Sequence, residues 1–159
     1  MKRNATTALV LCLAVVGTAI EARAECQYVR GGIAETNISS PNDPLGRLLG
    51  NVTGVLNGAS TVVITSPPPN VRSFDVFVTN QGDMLTAIGT PTRTPVPGKP
   101  GEFISHVDLT ITGGSGKYES ATGWMTFDGL SHPGGPGVGT ADLTYRGYVC
   151  GPNIKGNGN

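Results

Sequence analysis

The chain has 159 residues, a formal net charge of zero from 11 basic and 11 acidic side chains, and only 14% charged residues. With no Lys/Arg cluster in the body of the chain, that balance argues against nucleic acid as a partner, because phosphate binding needs a basic footprint. The 24 glycines and 12 prolines, with Thr and Val recurring in short runs, predict an all-β domain rich in turns.

Lys2 and Arg3 precede an apolar run from Ala8 to Val16, and Ala22-Arg23-Ala24 has the small-x-small pattern that a signal peptidase reads. Residues 1–24 are therefore expected to be a secretory signal, and the protein to be secreted or periplasmic. Residues 25–159 are expected to form a single domain with one core and a flexible tail from about residue 151. Cys12 lies deep inside the apolar run, so lipid anchoring is not expected. No other stretch is long and apolar enough to span a membrane. Beyond the leader only Cys26 and Cys150 remain, and an oxidising compartment should pair them. The pair reads as a staple between first and last strands rather than a redox site, since there is no Cys-x-x-Cys and no neighbouring basic residue.

Gln27 to Thr36 is the first strand candidate, interrupted by Gly31-Gly32, and Ser39 to Pro44 is a turn-rich loop. Leu48, Gly50, Val52, Gly54 and Leu56 share one face of the next strand. Asn57-Gly58 then reads as a tight hairpin turn into a return strand, Ser60 to Thr65, which ends at Pro67-Pro68-Pro69. Phe74, Val76 and Val78 alternate with Asp75, Phe77 and Thr79, and Asn80 to Asp83 turns the chain into Met84 to Gly89. Four prolines and two glycines make Pro91 to Gly101 an expected long loop over one end of the fold.

The most specific text is Thr110 to Gly129. Phe103, Val107, Leu109 and Ile111 before it, and Ala121, Gly123, Met125 and Phe127 after it, fall on single faces of alternating runs and predict two half-buried strands. Between them Gly113, Gly114 and Gly116 permit backbone angles closed to other residues, and Lys117 to Ser120 can make one helical turn. In the final strand Ala141, Leu143, Tyr145 and Val149 alternate with Asp142, Thr144 and Arg146. About eight strands joined mostly by hairpins predict an antiparallel closed barrel, since closure removes exposed sheet edges, with a β-sandwich as the alternative. Eight strands leave a lumen just wide enough for packed side chains or one small ligand.

The segment Ile111-Thr-Gly-Gly-Ser-Gly-Lys-Tyr-Glu-Ser-Ala-Thr-Gly123, continued by Gly139-Thr-Ala-Asp-Leu-Thr-Tyr-Arg-Gly147, resembles exported bacterial proteins of the allene oxide cyclase and dirigent barrel superfamily. Gly50 to Gly58 is similar to the glycine-punctuated early strands of such chains. The resemblance implies a barrel with an apolar cavity, and trimers occur among its plant members. It implies no catalytic residue here, because what is shared is turn glycines and core positions.

Other candidate chemistry is sparse. Gly116-Lys117 lacks the upstream glycine and the following Ser or Thr of a phosphate loop. His106 and Asp108 lie two apart on one strand face and are the weak candidates for a polar site. Two ligands are too few for a metal, and His132 is the only other histidine. The strand-borne charges Asp75, Glu102, Asp128, Asp142 and Arg146 are expected outside the barrel, with Phe74, Val76, Phe103, Val107, Met125, Phe127 and Tyr145 packed inside. Trp124 is expected on the outer surface as a contact site. The expectation is a non-catalytic barrel without a cofactor that binds a small apolar ligand or a protein partner, with homo-oligomerisation left open. The alternatives are an isomerase or cyclase acting on a small lipophilic substrate in the cavity, and a purely structural surface or assembly protein. An inward-facing Asp, Glu or His with a polar partner is the feature that would favour the enzyme.

Overall fold

The computed structural model describes residues 24–155 except 41, 43, 44, 133 and 135–137, so the expected leader lies almost wholly outside the described residues. Eight strands, β1 (Glu25–Asn37), β2 (Arg47–Val52), β3 (Gly58–Ser66), β4 (Arg72–Thr79), β5 (Met84–Pro95), β6 (Phe103–Ser115), β7 (Thr122–His132) and β8 (Thr140–Gly151), pair in chain order as antiparallel neighbours of one closed barrel. The closing seam joins β1 to β8 from Glu25↔Gly151 to Thr36↔Thr140. Cys26 and Cys150 lie directly opposite each other in that seam and form the disulfide. No helix among the described residues is long and apolar enough to cross a membrane.

Strand direction gives the barrel two unlike ends. At the first, β2 stops at Val52 and the chain folds inward as a 3₁₀ turn, Gly54–Leu56, that drives Leu56 into the lumen with no exposure. Burying that side chain contributes about 2 kcal/mol. The expected strand through Leu56 and the Asn57-Gly58 hairpin turn are thus replaced by a plug. The reason is non-local. Tyr145, on β8, donates its hydroxyl to the Thr53 carbonyl and accepts the Leu56 N–H, at 2.8 and 2.9 Å. Gly54, at φ 86°, lies against the Arg30 carbonyl, and a Cβ on Gly31 would strike Thr53 and Tyr145. Gly31-Gly32 therefore does not interrupt β1, which runs through it; Gly31 makes the seat for the plug.

Around Leu56 the core is filled by Val29, Val52, Phe77, Leu85, Met125 and Val149, all with no solvent exposure. Tyr118, brought in by a second 3₁₀ turn (Gly116–Tyr118), and Ala121 complete it. Past β8 the chain turns at Gly151 and buries Ile154 against the same cluster.

The other end carries the β1–β2, β3–β4, β5–β6 and β7–β8 connections. Here β5 runs on to Pro95, paired with β6 from Pro91↔Val107 to Pro95↔Phe103. The expected loop from Pro91 is therefore strand as far as Pro95, and only 96–101 of it turn the chain toward β6. The ladder to β4 ends at Ser73↔Gly89, so beyond it β5 has one free side, where a proline nitrogen has no ladder bond to lose.

The largest difference from expectation is the facing of β4. Ser73, Asp75, Phe77 and Thr79 are buried inside, whereas Phe74 and Val78 are 40% and 43% exposed outside. Phe77 stands opposite inward Ser60 and inward Leu85, and directly paired residues share a face. With Phe77 held inward, the two-residue period forces Asp75 in and Phe74 and Val76 out. Asp75 is thus an interior charge, and Phe74 and Val76 are not core.

Candidate functional site

Above the plug, the open half of the barrel holds a cavity of about 510 Å³, within the range that suits a small organic ligand. Val62, Val107, Phe127, Ala141 and Leu143 supply its apolar wall, and Leu45, Pro67, Pro68 and Val71 stand around its mouth. Set into that wall are the carboxyls of Glu35, 8% exposed, and Asp75, 3% exposed. The Ser73 hydroxyl donates to Asp75 Oδ2 at 2.6 Å, and Ser105 and Ser131 bond each other across β6 and β7 at 2.6 Å.

Two glycines make room for these groups. A Cβ on Gly89 would collide with Ser73 Oγ and crowd Asp75 Oδ2, and one on Gly50 would strike Ser60 Oγ and press on the Glu35 side chain. Gly50 is the direct β2 partner of Glu35, whereas Gly89 is the partner of Ser73 and lies diagonally beside Asp75, whose own partners are Val62 and Ala87.

The electrostatics follow from burial. Desolvation, then the neighbouring Asp75 charge, push the Glu35 carboxyl up to about 7, against a downward pull from Arg93. Burial likewise raises Asp75 to about 6, although the Ser73 hydrogen bond favours its ionised form. Among the described residues, Glu35, Asp75 and Arg93 are the ionisable groups that line the cavity, and Arg93 is exposed at the rim. Near neutrality the site therefore holds acids poised between proton donor and acceptor.

The residues singled out from sequence fall elsewhere. His106 lies on the outer face, its Nδ1 2.6 Å from Asp128 Oδ1 and its Nε2 3.2 Å from Asp108 Oδ1. The Asp128 hydrogen bond, aided by both carboxylate charges, raises the His106 pKa. Arg146 stands 3.9 Å from Asp128, while His132 is 3.6 Å from Glu102 in a separate cluster. Among the described residues no group of three His, Cys, Asp or Glu is placed to hold a metal ion. Asp108, Asp142 and Arg146 are exposed, in the outward positions expected of them. Trp124 is 50% exposed, with Tyr148 and Tyr28 in a row beside it at ring separations of 6.0 and 5.2 Å.

Gly113, Gly116 and Gly123 hold φ values of 137°, 63° and 133°, and Gly114 packs against the Met84 carbonyl and Tyr118. At Gly116-Lys117 the Lys117 N–H is taken by Asp83 Oδ1 at 3.1 Å, so a carboxylate occupies the turn that superficially resembled a phosphate loop. Sequence reasoning missed Glu35 altogether and placed Asp75 on the wrong face. The available signal was the coincidence of Gly50 and Gly89 with carboxyl-bearing neighbours, readable only once the strand registers are known.

No known protein family matches the chain, and no curated protein matches it either. Among solved structures, a pterocarpan synthase dirigent protein is similar at 12% identity and a TM-score of 0.35, over 86% of this chain and 90% of that one. The closed eight-stranded antiparallel barrel expected from the sequence is the one observed.

Proposed function

We propose that the open half of the barrel binds a small, mainly apolar molecule with one polar end, the apolar part against Val62, Val107, Phe127 and Leu143 and the polar end on Glu35 and Asp75. The observation that carries this reading is a mouth-accessible apolar cavity with a buried carboxyl pair inside it. The leader-like N-terminus and the Cys26–Cys150 bond support a secreted or periplasmic setting. Native mass spectrometry of protein purified without detergent from its own source tests binding. A copurifying small molecule, lost in Val107→Trp protein that keeps its β-sheet spectrum, supports it. Bare protein that also takes up no small apolar probe would leave the barrel a structural or partner-binding element.

A second reading, isomerisation or cyclisation of a lipophilic substrate, is favoured by one observation. Two carboxyls in one cavity have pKa values raised to about 7 and about 6, which suits one to give a proton while the other takes one. Glu35→Gln and Asp75→Asn would then lower turnover by a much larger factor than they weaken ligand binding. Equal turnover in both variants would remove the reading.

A further inference from the structure

Resting on the binding reading above, we infer that the ligand of this cavity is an amphiphilic amine, its ammonium held by Glu35 and Asp75 and its apolar tail running toward the mouth. The cavity holds an acid pair with no cation inside it among the described residues. Glu35 accepts no hydrogen bond and makes no ion pair among the described residues, Asp75 accepts one from Ser73, and the nearest cation, Arg93, stands exposed at the rim. Carboxyls removed from water are strongly disfavoured unless a positive charge or several donors replace the lost hydration. Among the described residues only exposed Arg93 and the Ser73 hydroxyl answer these acids, and an ammonium guest would supply the missing charge and donors.

A second orphan lies beside the Glu35 stem, behind the cavity wall. The Ser60 hydroxyl is 2% exposed, without a hydrogen-bond partner, and directed into the gap over Gly50 where the Glu35 stem lies. An ammonium carries three donors, enough for Glu35, Asp75 and a hydrogen bond linking to a hydroxyl. A divalent cation would need more oxygen ligands than these two carboxyls provide, and among the described residues no three-residue cluster is placed to supply them. The apolar wall selects against small hydrophilic amines. Arg93 at the rim favours the ionised form of Glu35, the form that an ammonium needs.

From each surrounding strand the facing groups are neutral apart from these three: Leu48 and Gly50 on β2, Val62 on β3, Val107 and Ser105 on β6, Phe127 and Ser131 on β7, Leu143 on β8. The pH dependence of binding therefore belongs to Glu35 and Asp75. Above about pH 7 both are ionised and hold the ammonium; toward about pH 5 both are protonated and the attraction is lost.

The test is calorimetry of the oxidised, intact protein with n-octylamine, n-octanol and n-octanoate at about pH 8 and about pH 5. Octylamine should bind at least roughly tenfold tighter than octanol at the higher pH, lose that preference at the lower, and lose it in Glu35→Gln and in Asp75→Asn. Octanol or octanoate binding as tightly as octylamine at the higher pH would overturn the amine assignment and leave the binding reading standing. Failure of all three to bind would overturn both. Because the wild-type pH and ligand series decides the matter alone, a variant that folds poorly costs the test nothing.

Discussion

Replacing Glu35 by Gln should make the protein more stable above neutrality and less dependent on pH. In the fold Glu35 keeps its proton to about pH 7 against an ordinary 4.5, and Asp75 to about 6 against 3.8. Between each pair of values the folded state binds more protons than the unfolded state, so stability falls as pH rises. It is fully present below about pH 4 and lost through about 6 for Asp75 and about 7 for Glu35. Each displacement taken alone corresponds to about 3 kcal/mol. The two do not add, because the Asp75 charge is already among the causes of the Glu35 displacement. Gln removes the charge but brings an amide whose own desolvation costs about 1 kcal/mol or more. The variant should therefore exceed wild type by about 1–2 kcal/mol at pH 8 and fall level with it, or below, at pH 4.5. Urea unfolding of the oxidised protein at four pH values between these limits measures the difference directly. His106, whose pKa is also raised, contributes equally to both proteins and cancels. A wild-type stability that is flat or rises over this range, or an unchanged slope in the variant, would refute the burial argument.

Tyr145→Phe removes the hydroxyl that holds both Thr53 and Leu56, and leaves the Leu56 N–H unpaired in the core. It should cost about 1–3 kcal/mol in urea unfolding; a loss below about 0.5 would mean that the plug is not held by this tie. Replacing Cys26 and Cys150 by Ala opens a link spanning 124 residues, and a loss of about 2–4 kcal/mol is expected from the freed unfolded chain. Ser73→Ala removes the one hydrogen bond that favours the ionised Asp75, so the Asp75 midpoint in an NMR titration should rise further, and a fall would contradict the assigned donor. His106→Ala, on the outer face with Asp128 and Asp108, should change stability by less than about 1 kcal/mol and leave the Glu35 and Asp75 titrations unmoved.

The barrel and its strand count were legible because β6, β7 and β8 alternate cleanly, with Leu109, Ile111, Met125, Phe127, Leu143 and Tyr145 all buried. The cysteine pairing was legible for a topological reason, since consecutive hairpins in a closed barrel bring first and last strands together. The site was not legible. Hydrophobic patterning assumes that the apolar face is the inner one, and on β4 that assumption fails. The open half of the lumen carries Ser73 and Asp75 while Phe74, Val76 and Val78 turn outward. Facing there is decided by Phe77 against Ser60 and Leu85, contacts between strands rather than a property of the strand itself. The plug was hidden for a similar reason. Gly31, Thr53 and Tyr145 act together across separations of 22 to 114 residues in the numbering, and none of them is unusual alone.

Two carboxyls, Glu35 and Asp75, lie inside the barrel. Carbon-detected NMR titration of the Glu35 and Asp75 carboxyl carbons, with and without a soluble paramagnetic relaxation agent, tests this placement most directly. Midpoints of about 7 and about 6 are expected, with both carbons shielded from the agent. Midpoints in the ordinary carboxylate range, with strong paramagnetic broadening of both, would place the acids in solvent and contradict the account.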